Sequence, residues 1–200
     1  MRIVYYAVDM EQNEALSLYR RTGAFLEGHF RLSSGLHSTG YLQSALVLQH
    51  PEEAASLGRR LAAAVAALEP SVVLSPALGG LIIGHEVARA LKVRAIFAER
   101  SGGTELGLRR GFELTAGDRV LVVEDVLTTG KSTRETIEVA RAAGATVVGA
   151  AAIVDRSGGT IDFDVPAHSL VRLSLPTYEP DACPLCAQGL PVVKPGSRPG

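Results

Sequence analysis

Four consecutive apolar residues, Val120 to Val123, run directly into two acids, Glu124 and Asp125, and then into the polar loop Thr128-Thr129-Gly130-Lys131-Ser132-Thr133. A short β-branched run without alternation is the pattern of a strand buried on both faces, as in a parallel sheet. Behind the loop, Arg134 to Ala143 reads as a helix closed by Gly144. Strand, acid pair, hydroxyl- and glycine-rich turn and helix aim backbone N–H groups and hydroxyls at one point. Such a point suits a phosphate, because a helix start carries unpaired donors and positive partial charge.

The remaining segments supply the partners such a strand needs. Glu11 to Thr22 reads as a helix stopped by Gly23, and Met1 to Asp9 as a short strand or upstream extension, with Met10 an alternative start. Phe30 and Leu32 alternate with polar neighbours, Ser33-Ser34-Gly35 turns the chain, and Tyr41 to Leu48 resumes as a strand, which together predict a β-hairpin. Pro51 to Leu68 is a helix, with proline at its start, Glu52 and Glu53 at its positive end and Leu57, Leu61, Ala64 and Leu68 in one stripe. Ser71 to Ser75 is a strand that leads through Pro76 and the glycine pair Gly79-Gly80 into a helix from Leu81 to Leu91. Val93 to Ala98 is a further strand. Glu99 to Gly111 follows, polar, glycine-rich and nearly without apolar anchors, and is expected to be a mobile loop. Thr146 to Val154 is a strand ending at Asp155-Arg156, and Ile161 to Val165 with His168 to Leu175 finish the core.

Two hundred residues, 46% hydrophobic and 20% charged, fit one domain spanning 1–200, with an appended hood at about 23–48, a core at about 51–175 and a tail at about 176–200. A net charge of −1 provides no electrostatic footprint for nucleic acid. No apolar run is long enough to span a membrane and no signal-peptide pattern opens the chain, so a cytoplasmic location is expected. Both cysteines lie in Cys183-Pro-Leu-Cys186, which is half a zinc site with no second pair or His-x-His spacing to complete it. Buried thiols, a structural knuckle or zinc shared between subunits remain open.

Gly130-Lys131-Ser132 matches the end of a P-loop, but the first glycine of that motif would fall at Asp125. An ordinary strand-to-helix turn with two solvated acids is the plain alternative. The whole stretch, residue for residue, resembles the phosphoribosyl pyrophosphate (PRPP) signature of type I phosphoribosyltransferases. That resemblance implies a central, mostly parallel sheet flanked by helices, with a small N-terminal β hood. It implies that Thr128 to Thr133 hold the ribose 5-phosphate, that Glu124 and Asp125 lie along the ribose hydroxyls, and that Val126 and Leu127 belong to the same PRPP site. Gly79 and Gly80 fall where the family meets the pyrophosphate. Residues 99–111 fall at its catalytic loop, which closes over PRPP and reaches across a homodimer, with Arg100, Arg109 and Arg110 as the available charges.

Gly28, Phe30, Leu32, Ser34, Gly35, Ser38 and Tyr41 resemble the hood of orotate phosphoribosyltransferases, and Asp155-Arg156 resembles their base-contacting step. By that likeness Thr128, Arg156, Ser34 and Gly35 are expected at orotate, and Mg²⁺ is expected on the pyrophosphate of PRPP, with no side chain assigned to it. The implied reaction joins orotate to PRPP, giving orotidine 5′-monophosphate and pyrophosphate. A structural hairpin and a surface arginine are the plain readings of these two segments. The tail resembles that of a Thermus-like bacterial subgroup, where Cys-Pro-Leu-Cys and Lys-Pro-Gly-Ser-Arg both occur. Lysines usual in the family are absent: Leu26 and Gly79 stand at two such places, and no histidine lies between Glu99 and Gly111. A purine-type phosphoribosyltransferase and a PRPP-sensing regulator that binds nucleic acid are the competing functions; the hood with Asp155-Arg156 opposes the first and the net charge the second.

Overall fold

The computed structural model describes residues 10–32, 34–101 and 105–195. The strand expected before Met10, Ser33 of the hood turn and the end of the tail lie outside them.

The apolar run forms β6 of the central sheet, Arg119–Leu127, and Val120 to Val123 are fully buried. In chain order the elements before it are α1 (Met10–Arg21), β1 (Phe25–Arg31), β2 (His37–Leu42), α2 (Ser44–Leu48), α3 (Pro51–Val65), β3 (Val72–Pro76), α4 (Gly80–Leu91), β4 (Arg94–Ser101) and β5 (Glu105–Leu108). After it come α5 (Lys131–Ala142), β7 (Thr146–Asp155), β8 (Ala167–Arg172), β9 (Thr177–Tyr178) and the four-residue α6 (Pro184–Ala187). The six-stranded sheet has the order β5-β4-β3-β6-β7-β8, parallel throughout except for the antiparallel edge strand β5.

Alternation along β6 divides the core. Leu121 and Val123 face α1, α3 and α4, packing with Tyr19, Leu57, Leu61, Ile83 and Val87. Val120 and Val122 face α5, packing with Ile137, Ala140 and Phe163. Each such side chain removed from water stabilises the fold by about 1.5–3 kcal/mol before chain entropy is subtracted. The sheet is therefore covered on both sides, as its unbroken apolar strands require.

A second sheet, β1-β2-β9, forms the hood. Its first two strands are the expected hairpin; the third comes from the tail, pairing His37 with Tyr178 and Ser38 with Thr177. The tail then runs along β1, with mutual backbone bonds between Arg31 and Val193 and between Val193 and His29 at 2.8 Å.

Two expectations are corrected. The strand expected from Tyr41 to Leu48 ends at Leu42, and Ser44–Leu48 is a short helix whose Val47 and Leu48 enter the core. A short apolar run carries no periodicity able to separate the two states, and packing under α1 and α3 decided it. The stretch 99–111 is not a loop throughout: its first residues extend β4 and Glu105–Leu108 form β5, while Arg109 to Gly111 carry no strand. Glu99 to Ser101 pair with Glu105 to Gly107 as an antiparallel hairpin, because β4 simply continues past the sheet and β5 returns along it.

Candidate active site

The chain crosses from β3 to β4 on one side of the sheet, and later from β6 to β7 on the other. The crevice outside the carboxyl ends of β3 and β6 is thus the topological switch point, where open α/β sheets bind ligands. Two loops meet there: Pro76 to Gly80 after β3 and Thr128 to Gly130 after β6.

The first loop is fitted to Asp125. A Cβ placed on Gly79 would come within 2.7 Å of Asp125 Oδ1, and one on Gly80 within 2.8 Å of the Val123 carbonyl. Only backbone fits between the loop and the acid. At Gly79, where the resemblance places a lysine, the Asp125 carboxylate stands in the space a side chain would start from.

The second loop turns on Gly130, whose φ of +74 favours glycine. A Cβ there would lie 2.9 Å from both Ile161 and Phe163. The turn leads into α5 with no side-chain cap on its first N–H groups, and Lys131 N–H only reaches Thr129 Oγ1 at 3.4 Å. Thr128, Thr129 and Lys131 are exposed at this end, Ser132 is half-buried, and Thr133 is buried. An uncapped helix start ringed by hydroxyls is an anion cradle.

Glu124 and Asp125 end the strand with their carboxyls close enough to interact. Glu124 is only 8% exposed, with its Oε1 accepting the Asp125 N–H at 3.2 Å. Burial, and secondly the charge of Asp125, push its carboxyl up to about 9. Near neutral pH the Glu124 carboxyl is therefore held neutral.

Asp125 also marks where hood and core converge. Burial raises the Tyr41 phenol, the charge of Asp125 raises it further, and Arg156 opposes the shift. Arg156, half-buried, is itself lowered by burial and sustained by Tyr41. Its backbone N–H bonds the Leu127 carbonyl at 2.8 Å, which pins it beside the end of β6. The preceding Asp155 holds the turn by accepting from Ser157 N–H at 2.7 Å and Ser157 Oγ at 2.6 Å. Tyr19 of α1, fully buried and bonded to Ser44 at 2.9 Å, feels the same Asp125 charge. Sequence reasoning missed Tyr19, which an apolar helix face hides among core residues.

Glu124, Asp125, Gly79, Gly80, Val126 to Thr133 and Arg156 thus gather at one crevice. Ser34 and Gly35 form the turn at the other end of the hairpin from Tyr41. Arg100 pairs with Glu135 of α5, and Lys131 Nζ stands 3.9 Å from the same carboxylate. Arg109 and Arg110 follow the outermost strand, with β4 and β3 between them and β6. Arg110 is held by Glu99 at 2.8 Å and lies over Phe97 at 5.7 Å.

The cysteine pair has a completion the spacing did not show. His29 and His37 of the hood hairpin meet Cys183 and Cys186, so the reading that nothing within the chain completes the half-site is corrected. Sequence distance conceals it: the hairpin and the tail are some 150 residues apart.

The acid pair and the uncapped, hydroxyl-rich helix start at the switch point lie within residues 45–174, which match the phosphoribosyl transferase domain family. Over 189 residues the chain is 53% identical to the orotate phosphoribosyltransferase of Pelotomaculum thermopropionicum, covering 94% of this chain and 99% of that one. A solved structure of the Mycobacterium tuberculosis orotate phosphoribosyltransferase superposes with a TM-score of 0.68 at 28% identity, over 82% of this chain and 97% of the other. Its complex with PRPP superposes at 0.63, with 28% identity over 82% and 96% of the two chains. The chain belongs to the orotate phosphoribosyltransferase family.

Proposed function

We propose that the crevice binds PRPP across its two loops and orotate beside Arg156, and transfers the ribose 5-phosphate to the orotate nitrogen with release of pyrophosphate. The observation that carries this reading is the convergence of Asp125, Gly79, Tyr41 and Arg156, which sets a sugar-binding acid between a backbone-lined loop and a cationic base contact.

The 5-phosphate fits the start of α5, taking backbone N–H groups and the hydroxyls of Thr128, Thr129, Ser132 and Thr133. The ribose hydroxyls fit Glu124 and Asp125. Asp125 accepts, while the neutral carboxyl of Glu124 is able to donate as well. As the bond from the anomeric carbon to pyrophosphate lengthens, positive charge develops on the sugar and the Asp125 carboxylate stabilises it. The half-buried Arg156 guanidinium presents a planar donor edge to a planar anionic base. Most of the rate then comes from positioning and fixed charge.

Magnesium fits this crevice as a cation carried by PRPP. A hard ion takes oxygen ligands, and the oxygens facing the pyrophosphate loop are those of Asp125. Held there beside Asp125, it would supply positive charge against the pyrophosphate. The hairpin at 99–111 supplies its arginines to a second copy's crevice in a homodimer, consistent with their position on the outer edge. Among the described residues no helix is long and apolar enough to cross a membrane; a cytoplasmic enzyme is the matching proposal.

The test is orotate consumption by the purified protein with PRPP and Mg²⁺, run beside adenine, hypoxanthine, guanine, xanthine and uracil. Turnover of orotate alone is expected. Turnover of a purine instead would keep the PRPP site and overturn the base pocket.

A further inference from the structure

His29 Nε2, His37 Nδ1 and the sulfurs of Cys183 and Cys186 all lie within 4.8 Å of one another. Cys183 Sγ is 3.5 Å and Cys186 Sγ 3.7 Å from His29 Nε2, and Cys186 Sγ is 3.3 Å from His37 Nδ1. The two imidazole nitrogens are 2.9 Å apart. A tetrahedral zinc with ordinary Zn–N and Zn–S bonds has edges of about 3.3 Å between nitrogens, about 3.5 Å between nitrogen and sulfur and about 3.8 Å between sulfurs. Three of these separations match to within a few tenths of an ångström, and the histidines need only part by a similar amount.

The surroundings prepare the same atoms. His29 Nδ1 lies 2.8 Å from the Leu190 carbonyl, which can only accept, so that nitrogen carries the ring proton and Nε2 presents its lone pair to the cluster. His29, His37 and Cys183 are 5%, 6% and 3% exposed. Three polar, metal-ligating groups so deeply buried on one side of a small hood are otherwise hard to account for by packing. The chain wraps Cys183-Pro-Leu-Cys186 into a single turn, with Ala187 N–H on the Cys183 carbonyl at 3.1 Å and Gly189 N–H on the Cys186 carbonyl at 2.9 Å. That brings both sulfurs to one side, as a knuckle requires.

We propose that these four side chains form a structural Zn²⁺ site that clamps the tail to the hood. Two thiolates and two imidazoles in a tetrahedral arrangement select zinc among divalent cations. All four positions belong to the protein, leaving none for substrate, so the site has no catalytic coordination. Binding releases the two thiol protons to solvent, and His37 moves its remaining proton to Nε2; no electron is transferred. The clamp joins residues of β1 and β2 to a tail that otherwise meets the hood through the two-residue strand β9 and the backbone bonds of Val193 to Arg31 and His29. It thereby steadies the hairpin whose far strand carries Tyr41.

The readout is metal content, independent of whether orotate is the substrate. The full chain, purified without chelator and kept reduced, is expected to hold about one zinc per chain, with an X-ray absorption signature of two sulfur and two nitrogen neighbours. Replacing the metal with Co²⁺ should give the strong visible bands of a tetrahedral thiolate site. Cys186→Ser, at the exposed position, is expected to weaken zinc retention at least tenfold while far-UV circular dichroism stays that of the parent. The proposal is overturned if the reduced parent, reloaded with zinc and dialysed, keeps less than about a tenth of an equivalent. It is equally overturned if Cys186→Ser and Cys183→Ser retain zinc as the parent does.

Discussion

Glu124 and Asp125 are neighbours in the chain whose carboxyls interact, with Glu124 buried and Asp125 half-buried. The buried Glu124 keeps its proton up to about pH 9 in the folded protein, against about 4.5 when the chain is unfolded. Between these values the native state binds a proton that the unfolded state has released, so stability falls as pH rises through that window. Glu124→Gln keeps the shape and removes the titration. Urea unfolding of the substrate-free protein should show the variant gaining on the parent from about pH 5 to about pH 9, by an order of a few kcal/mol. Parallel curves would show that Glu124 is not held neutral. Arg156, pinned by its backbone and half-buried, is the proposed contact to the base. Arg156→Ala should raise the orotate KM by about tenfold or more while changing that of PRPP much less. The reverse pattern in steady-state kinetics would place the base elsewhere.

At the scale of elements, the turn from β6 into α5 depends on one residue having no side chain. Gly130 combines a left-handed φ with contacts that a Cβ would make at 2.9 Å to Ile161 and Phe163. Gly130→Ala is expected to cost about 1–3 kcal/mol of stability and to raise the PRPP KM, because the start of α5 must shift to relieve the clash. Thermal melts and PRPP titration of the variant check both parts; a melt unchanged from the parent would mean the turn adapts freely. The helices and parallel strands around this loop were legible because apolar periodicity and end signals agree. Pro51 with Glu52 and Glu53 starts α3, and Gly144 follows α5 at a φ of +82. The run at 44–48 was not legible. Five residues have too little length for a period, so its helix comes from burial of Val47 and Leu48 and not from any local preference.

For the molecule as a whole, the residues Val120 to Thr133 by themselves determined a buried parallel strand leading through a polar turn into a helix, and their resemblance to a known signature implied the class of fold. Local residue types suffice there, since the strand, the acids and the loop are contiguous and each carries its own signal. Tertiary structure alone decided that β9 would complete the hood, that Tyr41 would share the field of Asp125 with Arg156, and that Gly79 would make room for the Asp125 carboxylate. It also decided that two of the chain's five histidines would meet its only two cysteines. These are contacts between segments far apart in the chain. No spacing rule reaches across them, because their geometry exists only once the sheet and the hood have packed.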